Sequence, residues 1–245
     1  MILVIPCYNE ASRLDTDSFA RFGAQHDDIR FLFVDDGSRD ATREVLTDLA
    51  GRLPGANIVS LSANGGKAEA VRVGILRALE TSPDYVGFWD ADLATPLPTA
   101  LDFRDVLDAH PNVDMVFGAR VQLLGHAIER RASRHYAGRI FATIASWMLG
   151  LPVYDTQCGA KLFRVTPSLP DIFATPFLTR WIFDVEIVAR ALVATRREGA
   201  SKLPAIHEYP LAKWRDVGGS KLHFRDLVHV PLDLIRIYNA YLRNL

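Results

Sequence analysis

Cysteine is scarce in this chain. Its 245 residues contain two, Cys7 and Cys158. That excludes a disulfide framework and points to buried thiols in a reducing compartment. Long apolar runs are missing too. The longest stretch without Asp, Glu, Lys or Arg is Ile140–Tyr154, which is interrupted by Gly150 and Pro152. A membrane-spanning helix needs about 20 consecutive apolar residues, so no span is expected. The opening Met-Ile-Leu-Val-Ile-Pro has no basic flank or small-residue cleavage site and is not read as a secretory leader. Repeats, low-complexity tracts and Pro/Gly/Ser-rich linkers are also lacking.

Net charge is almost absent, at −1. This average hides two unlike halves. Met1–Ala119 holds 10 Lys+Arg against 19 Asp+Glu, whereas Arg120–Leu245 holds 18 against 10. An acidic half suits cations, and a basic half suits phosphate or an anionic surface. Hydrophobic residues make up 49% and charged residues 23%, which excludes disorder and allows a large core without covalent staples.

What is present is an alternation. Ile2–Ile5, Phe31–Val34, Ile58–Leu61, Tyr85–Trp89 and Met115–Gly118 are short apolar runs rich in β-branched or aromatic residues, and they read as buried strands. Asp40–Arg52, Lys67–Glu80 and Pro98–His110 carry helical spacing, for example Val71, Ile75 and Leu79. This rhythm predicts an α/β fold: a Rossmann-like parallel sheet with helices on both faces and ligands at the carboxyl ends of the strands. After Arg120 the pattern turns helical. Helices are expected over Glu129–Leu149, Trp181–Arg196 and Arg225–Leu245, with a strand at Ala160–Phe163. One domain over residues 1–245 is expected, with a ligand-binding half (1–119) and a second half (120–245) of inserted and C-terminal helices.

Four polar motifs fall at predicted strand ends. Asp90-Ala91-Asp92 supplies two hard oxygen donors without His or Cys, a set that suits Mg²⁺ or Mn²⁺ bridging a diphosphate. Taken singly, Asp-x-Asp is a common surface turn. Val34-Asp35-Asp36-Gly37-Ser38 offers acceptors for a base N–H or a ribose hydroxyl, although Ser38 or Asp40 also reads as a helix cap. Pro6-Cys7-Tyr8-Asn9-Glu10 follows the first strand. Asn64-Gly65-Gly66-Lys67 opens a helix where backbone N–H groups and a lysine suit phosphate. Arg120, Arg131 and Arg134 have the planar fork that binds phosphate oxygens in pairs, but such a group is also an ordinary solvated helix face.

Together these motifs resemble the nucleotide-sugar half of inverting family 2 glycosyltransferases with the GT-A fold. The resemblance runs on through Gly118-Ala119-Arg120, Asp155-Thr156-Gln157-Cys158-Gly159-Ala160-Lys161-Leu162-Phe163, Arg180–Glu186 and Gly219-Ser220-Lys221-Leu222. The Asp-Thr-Gln-Cys-Gly stretch is similar to the polyprenyl-phosphate branch, the dolichyl-phosphate β-glucosyltransferases in particular. The resemblance implies a metal-dependent hexosyltransferase using a nucleotide sugar, UDP-glucose or GDP-mannose, and a polyprenyl or dolichyl phosphate acceptor. It implies donor binding by Pro6, Tyr8, Glu10, Asp35, Asp36, Lys67, Asp90, Ala91 and Asp92, with Asp90 and Asp92 holding Mg²⁺ or Mn²⁺. It implies acceptor binding by Arg120, Arg131, Arg134, Gln157 and Trp181, and catalytic roles for Asp92, Asp155 and Arg120. Asp184 and Glu186 are expected to hold the sugar or the acceptor loop.

The chain departs from the related mannose synthases at Ala94, where they often carry a Gln ligand. With no span expected, Glu129–Leu149 and Arg225–Leu245 are expected to lie on the cytoplasmic face of a membrane, since both pair apolar with basic residues. Packing of their apolar faces on the core is the competing expectation. A membrane-protein partner or self-association stays open, and no nucleic acid is expected. Three other functions remain in play: mannosyl transfer from GDP-mannose, a soluble acceptor, and a sugar-nucleotide-binding module without activity. A nucleotidyltransferase is disfavoured, because Pro6–Glu10 stands where its glycine-rich loop with Arg belongs.

Overall fold

The structure is a computed structural model, and it describes residues 1–129, 132–197, 205–217 and 224–243. Its first half alternates as expected: β1 (Ile2–Cys7), α1 (Thr16–Gln25), β2 (Arg30–Asp35), α2 (Thr42–Gly51), β3 (Asn57–Ser60), α3 (Lys67–Leu79), β4 (Tyr85–Trp89), α4 (Thr99–Ala109) and β5 (Met115–Ala119). The rest comprises β6 (Ala127–Glu129), α5 (Ala132–Leu149), β7 (Ala160–Arg164), α6 (Leu169–Phe173), α7 (Phe183–Arg197), β8 (Ile206–Pro210), β9 (Lys213–Arg215), α8 (Phe224–Ile237) and a π-helical turn, Tyr238–Leu242.

Seven strands form one sheet in the order β3-β2-β1-β4-β7-β5-β8. β1 to β4 pair in parallel, and so do β5 and β8. β7, whose direction the sequence left open, runs antiparallel to both β4 and β5. The Asp155–Gly159 segment enters the sheet at the carboxyl end of β4, where Gly159 O accepts from Asp90 N at 2.9 Å. From that end the strand can only run back down. Its direction brings a second motif to the strand ends that carry the first four.

Both faces of the sheet are covered, which is why β1, β4 and β5 are apolar throughout instead of alternating. Ile2, Val4, Leu32, Val34 and Phe88 face one core with Val71 and Ile75 of α3 and Val188 of α7. Leu3, Ile5, Phe31, Phe33 and Trp89 face the other, with Phe19 of α1, Leu46 of α2 and Phe103 of α4. Phe19 meets Phe31 and Phe33 edge-on at 5.3 and 5.5 Å between ring centres. α3 lies so close to β1 that a Cβ on Gly74 would stand 2.3 Å from Val4 Cγ1.

Two expected helices differ in detail. Glu129 belongs to β6, which pairs with β9, so α5 begins at Ala132. The C-terminal helix gives way to the π-helical turn after Ile237. Both helices carry apolar residues on two faces, one packed on the core and one exposed. Ala142, Ala145 and Leu149 of α5 are buried, as are Leu234 and Ile237. Tyr136, Ile140, Ile144 and Trp147 of α5 are exposed, Trp147 at 86%, and so are Leu232, Ile235 and Tyr238. Among the described residues no helix is long and apolar enough to cross a membrane.

Candidate active site

The carboxyl ends of β1, β2 and β4 and the start of β7 bring the motifs together. Pro6 and Tyr8, both half-buried, end β1. Glu10 is buried; its N–H donates to Thr42 Oγ1 at 2.7 Å and its carboxylate lies 3.7 Å from Arg13 Nε. Asp35 is buried at the end of β2, and its Oδ1 accepts from the Ser38 N–H at 3.0 Å. Asp36, next in the chain, holds a loop. Its carboxylate accepts from Asn64 Nδ2 at 2.9 Å, Gly65 N at 2.7 Å and Gly66 N at 2.8 Å, pinning the loop before α3. Burial raises its pKa, and the two backbone N–H groups work against that rise.

Asp90-Ala91-Asp92 turns away from β4, with Leu93 at a positive φ of 51° and Asp92 Oδ1 accepting from Ala94 N at 3.0 Å. Burial, and then the charge of Asp90, push the Asp92 carboxyl above its ordinary range. A divalent cation held by Asp90 and Asp92 would favour their charged forms, and two hard carboxylate oxygens suit Mg²⁺ or Mn²⁺. Among the described residues no three His, Cys, Asp or Glu side chains cluster for a metal, so water and ligand oxygens would complete its shell. Lys67 Nζ stands 2.5 Å from Asp90 Oδ1. Burial opposes its charge, and Asp90, Asp184 and Asp92 outweigh burial, so its pKa is raised.

Across the site, Arg120 and Asp155 form a two-pronged pair, Nε–Oδ2 at 2.6 Å and Nη2–Oδ1 at 2.8 Å. Asp155 also accepts from Arg120 N at 3.1 Å and Gln157 N at 3.1 Å. Both oxygens are thus engaged. The carboxylate orients Arg120. Glu208 in turn accepts from the N–H groups of Tyr154 and Asp155, both at 2.7 Å. Arg120 stacks 5.3 Å from the centre of the Trp214 ring, and the charge of Asp90 is felt at its guanidinium. Beyond Trp214 a cleft of about 490 Å³ opens among Phe22, Leu93, Ala94, Pro96 and Leu97, beside the Asp92 turn.

Two further acids of the motifs sit in ion pairs. Asp184 is buried against Lys161, whose ammonium is fully enclosed and donates to Asp184 Oδ1 at 2.5 Å, Cys158 O at 2.6 Å and Thr156 O at 2.9 Å. Burial raises the Asp184 pKa against the pull of Lys161 and Lys67. Glu186 accepts from Arg190 Nη2 at 2.7 Å, Tyr241 OH at 3.0 Å and Leu178 N at 2.9 Å. Both acids therefore hold the framework around the site. Trp181 is half-buried against the core. Arg180 bonds the carbonyls of Asn64 and Gly65 at 3.2 and 3.3 Å, tying the 174–182 segment to the start of α3. Arg131 and Gly219–Leu222 lie outside the described residues, as does the side chain of Arg134. Arg13, whose charge is felt at Asp92, was missed because one arginine after a strand carries no pattern.

An α/β sheet with an acidic pair after its fourth strand, and an antiparallel strand returning beside it, defines a GT-A glycosyltransferase. A family model described as glycosyl transferase family 2 matches residues 2–168. The chain belongs to that family. It is similar to the dolichyl-phosphate beta-glucosyltransferase of Dictyostelium discoideum, 30% identical over 255 residues covering 98% of this chain and 74% of the relative. It is also similar to one from Trichomonas vaginalis, 30% identical with 96% and 72% covered, and to that of Saccharomyces cerevisiae, 30% identical with 98% and 74% covered. Among solved structures it resembles glucosyl-3-phosphoglycerate synthase from Mycobacterium tuberculosis, crystallised with Mn²⁺ and UDP-glucose. The TM-score is 0.64 at 20% identity, covering 97% of this chain and 78% of the other, a likeness of fold.

Proposed function

We propose that the protein transfers glucose from UDP-glucose to the phosphate of a polyprenyl lipid of the dolichyl type, inverting the anomeric centre. The observation that carries this reading is the pairing of two poles at one set of strand ends. Asp90, Asp92 and Lys67 form a pole for a metal-bound diphosphate. Arg120, held rigid by Asp155, forms a pole for a second phosphate. The extended similarity to dolichyl-phosphate beta-glucosyltransferases supports a lipid phosphate as the second ligand.

In this account Asp35 accepts from the base and Pro6 and Tyr8 wall the nucleoside. Asp90 and Asp92 hold Mg²⁺ or Mn²⁺, which when bound supplies positive charge to the diphosphate. Lys67 and the first N–H groups of α3 face the same anion. Arg120 orients the acceptor phosphate, together with Arg131 and Arg134. A phosphate oxygen of the acceptor forms the bond to the anomeric carbon as the bond to UDP breaks, and that electron pair leaves with UDP. A lipid monophosphate has a second pKa of about 6, so it is already an anion near neutral pH and needs no general base. This agrees with the full engagement of Asp155. Positioning and charge stabilisation then carry the rate.

The exposed faces of α5 and α8 supply the route to a lipid. Aromatic residues such as Trp147 and Tyr136 favour the headgroup boundary, and the basic second half favours an anionic cytoplasmic leaflet. The test is to incubate the protein with Mn²⁺, dolichyl phosphate and radiolabelled UDP-glucose or GDP-mannose, then extract lipid. Label in the organic phase from UDP-glucose alone is expected. Label from GDP-mannose alone would establish the mannosyl alternative. Donor cleavage without lipid label would point to a soluble acceptor, and absence of any cleavage to a binding module.

A further inference from the structure

Lys67 stands where a metal would have to compete. Its ammonium takes Asp90 Oδ1 at 2.5 Å and lies 5.9 Å from the centre of the Phe88 ring. The charges of Asp184 and Asp92 act on it as well. Asp184 has its own cation in Lys161, so the acid that Lys67 neutralises at contact is Asp90. The start of α3 cannot swing away with it. Asp36 holds Gly65 N and Gly66 N, and Arg180 holds the carbonyls of Asn64 and Gly65. Only the lysine stem is left to move.

We infer that Lys67 is an internal counter-ion that keeps divalent metal off the nucleotide-free protein and releases Asp90 when a nucleoside diphosphate arrives. The inference rests on the assignment of Asp90 and Asp92 as the metal ligands. An ammonium and a divalent cation a few ångströms apart repel, and both require Asp90 Oδ1. Two protein carboxylates make a poor site alone, because Mg²⁺ and Mn²⁺ fill the rest of their shell from phosphate and water. A diphosphate changes both terms at once. It brings oxygens to the metal, and it offers Lys67 a new anion within reach of a flexible stem with three rotatable donors. Metal and nucleotide then bind as a coupled pair, each tightening the other by the same factor. The bare acidic pair is not left to capture metal unproductively.

The test measures Mn²⁺ binding to the full chain by the paramagnetic resonance of free Mn²⁺, with and without UDP. Wild type, Lys67→Met, Lys67→Arg and Asp90→Asn are compared, each checked for folding by circular dichroism and thermal melting. Without UDP, Lys67→Met is expected to bind Mn²⁺ at least about tenfold more tightly than wild type. UDP is expected to tighten Mn²⁺ binding most in wild type and in Lys67→Arg, which keeps the cation, and by a smaller factor in Lys67→Met, where only the phosphate oxygens contribute. Equal affinity of wild type and Lys67→Met without UDP, together with loss of binding in Asp90→Asn, would overturn the role of Lys67 and leave the ligand assignment standing. Wild-type binding by Asp90→Asn in the presence of UDP would overturn the ligand assignment, and this inference with it.

Discussion

Gly159 is the narrowest point of the site, and its substitution by alanine is the sharpest perturbation the geometry offers. A Cβ there would lie 1.8 Å from Asp90 Oδ2 and 2.2 Å from Asp90 Cγ. Real Cβ contacts begin near 3.0 Å, so the carboxylate must retreat by about 1.2 Å. The main chain cannot share the strain easily, since Gly159 O holds Asp90 N and Ala160 is already paired with Trp89 in the sheet. Gly159 has no positive φ, so alanine fits its backbone and the fold should survive. A displacement of this size in a reacting constellation costs on the order of 100-fold in rate. Steady-state transfer from UDP-glucose to dolichyl phosphate is therefore expected to fall about 100-fold in Gly159→Ala. Gly51→Ala, where a Cβ meets nothing within 4 Å, is the control and should match wild type. Because Gly159 acts through Asp90, adding Gly159→Ala to Asp90→Ala should cost nothing more in a double-mutant cycle. Wild-type turnover in Gly159→Ala, or additive losses in the cycle, would refute the reasoning.

Asp155→Asn removes the charge that balances a largely buried Arg120 and should cost about 3–5 kcal/mol of stability in denaturant titration. Arg190→Met should cost at least about 3 kcal/mol, because it strands Glu186 and the carbonyls of Ile172, Thr175 and Pro176; Mn²⁺–UDP affinity measured below the melting temperature should be unchanged. Asp92→Asn should abolish transfer yet raise the melting temperature at neutral pH. The folded Asp92 pKa lies above its unfolded value, so the wild type loses stability as pH rises through that interval, and the variant's advantage should vanish below about pH 3.9. Trp147→Glu should weaken sedimentation with anionic vesicles at least about tenfold, since burying such a side chain is worth roughly 1.5–3 kcal/mol. Binding to those vesicles should also weaken as salt rises, whereas donor binding should follow divalent metal.

Much of this was legible in the sequence because apolar strands end abruptly in polar motifs. Ile2–Ile5 before Pro6, Phe31–Val34 before Asp35 and Tyr85–Trp89 before Asp90 each mark a ligand-facing strand end. The direction of β7 was not legible, since Ala160–Arg164 has the same apolar pattern whichever way it runs. β8 was hidden because His207, Glu208 and Pro210 break the apolar pattern of an edge strand. The site residues divide in the same way. Asp90 and Asp92 are where their motif implies. Asp36, Asp155, Asp184 and Glu186 also have partners within the fold, which an acid in a motif does not reveal. Those partners are Gly65, Arg120, Lys161 and Arg190, and the first two lie about thirty residues away along the chain.

A single in-line displacement between a donor diphosphate at Asp90 and Asp92 and a lipid phosphate at Arg120 fixes the stereochemistry of the product. The most direct measurement is the anomeric configuration of the lipid-linked sugar, read by proton NMR on product made from UDP-glucose and dolichyl phosphate. The account predicts a β-linked glucosyl phosphate. An α-linked product, or glucose on any acceptor other than the lipid phosphate, would contradict it.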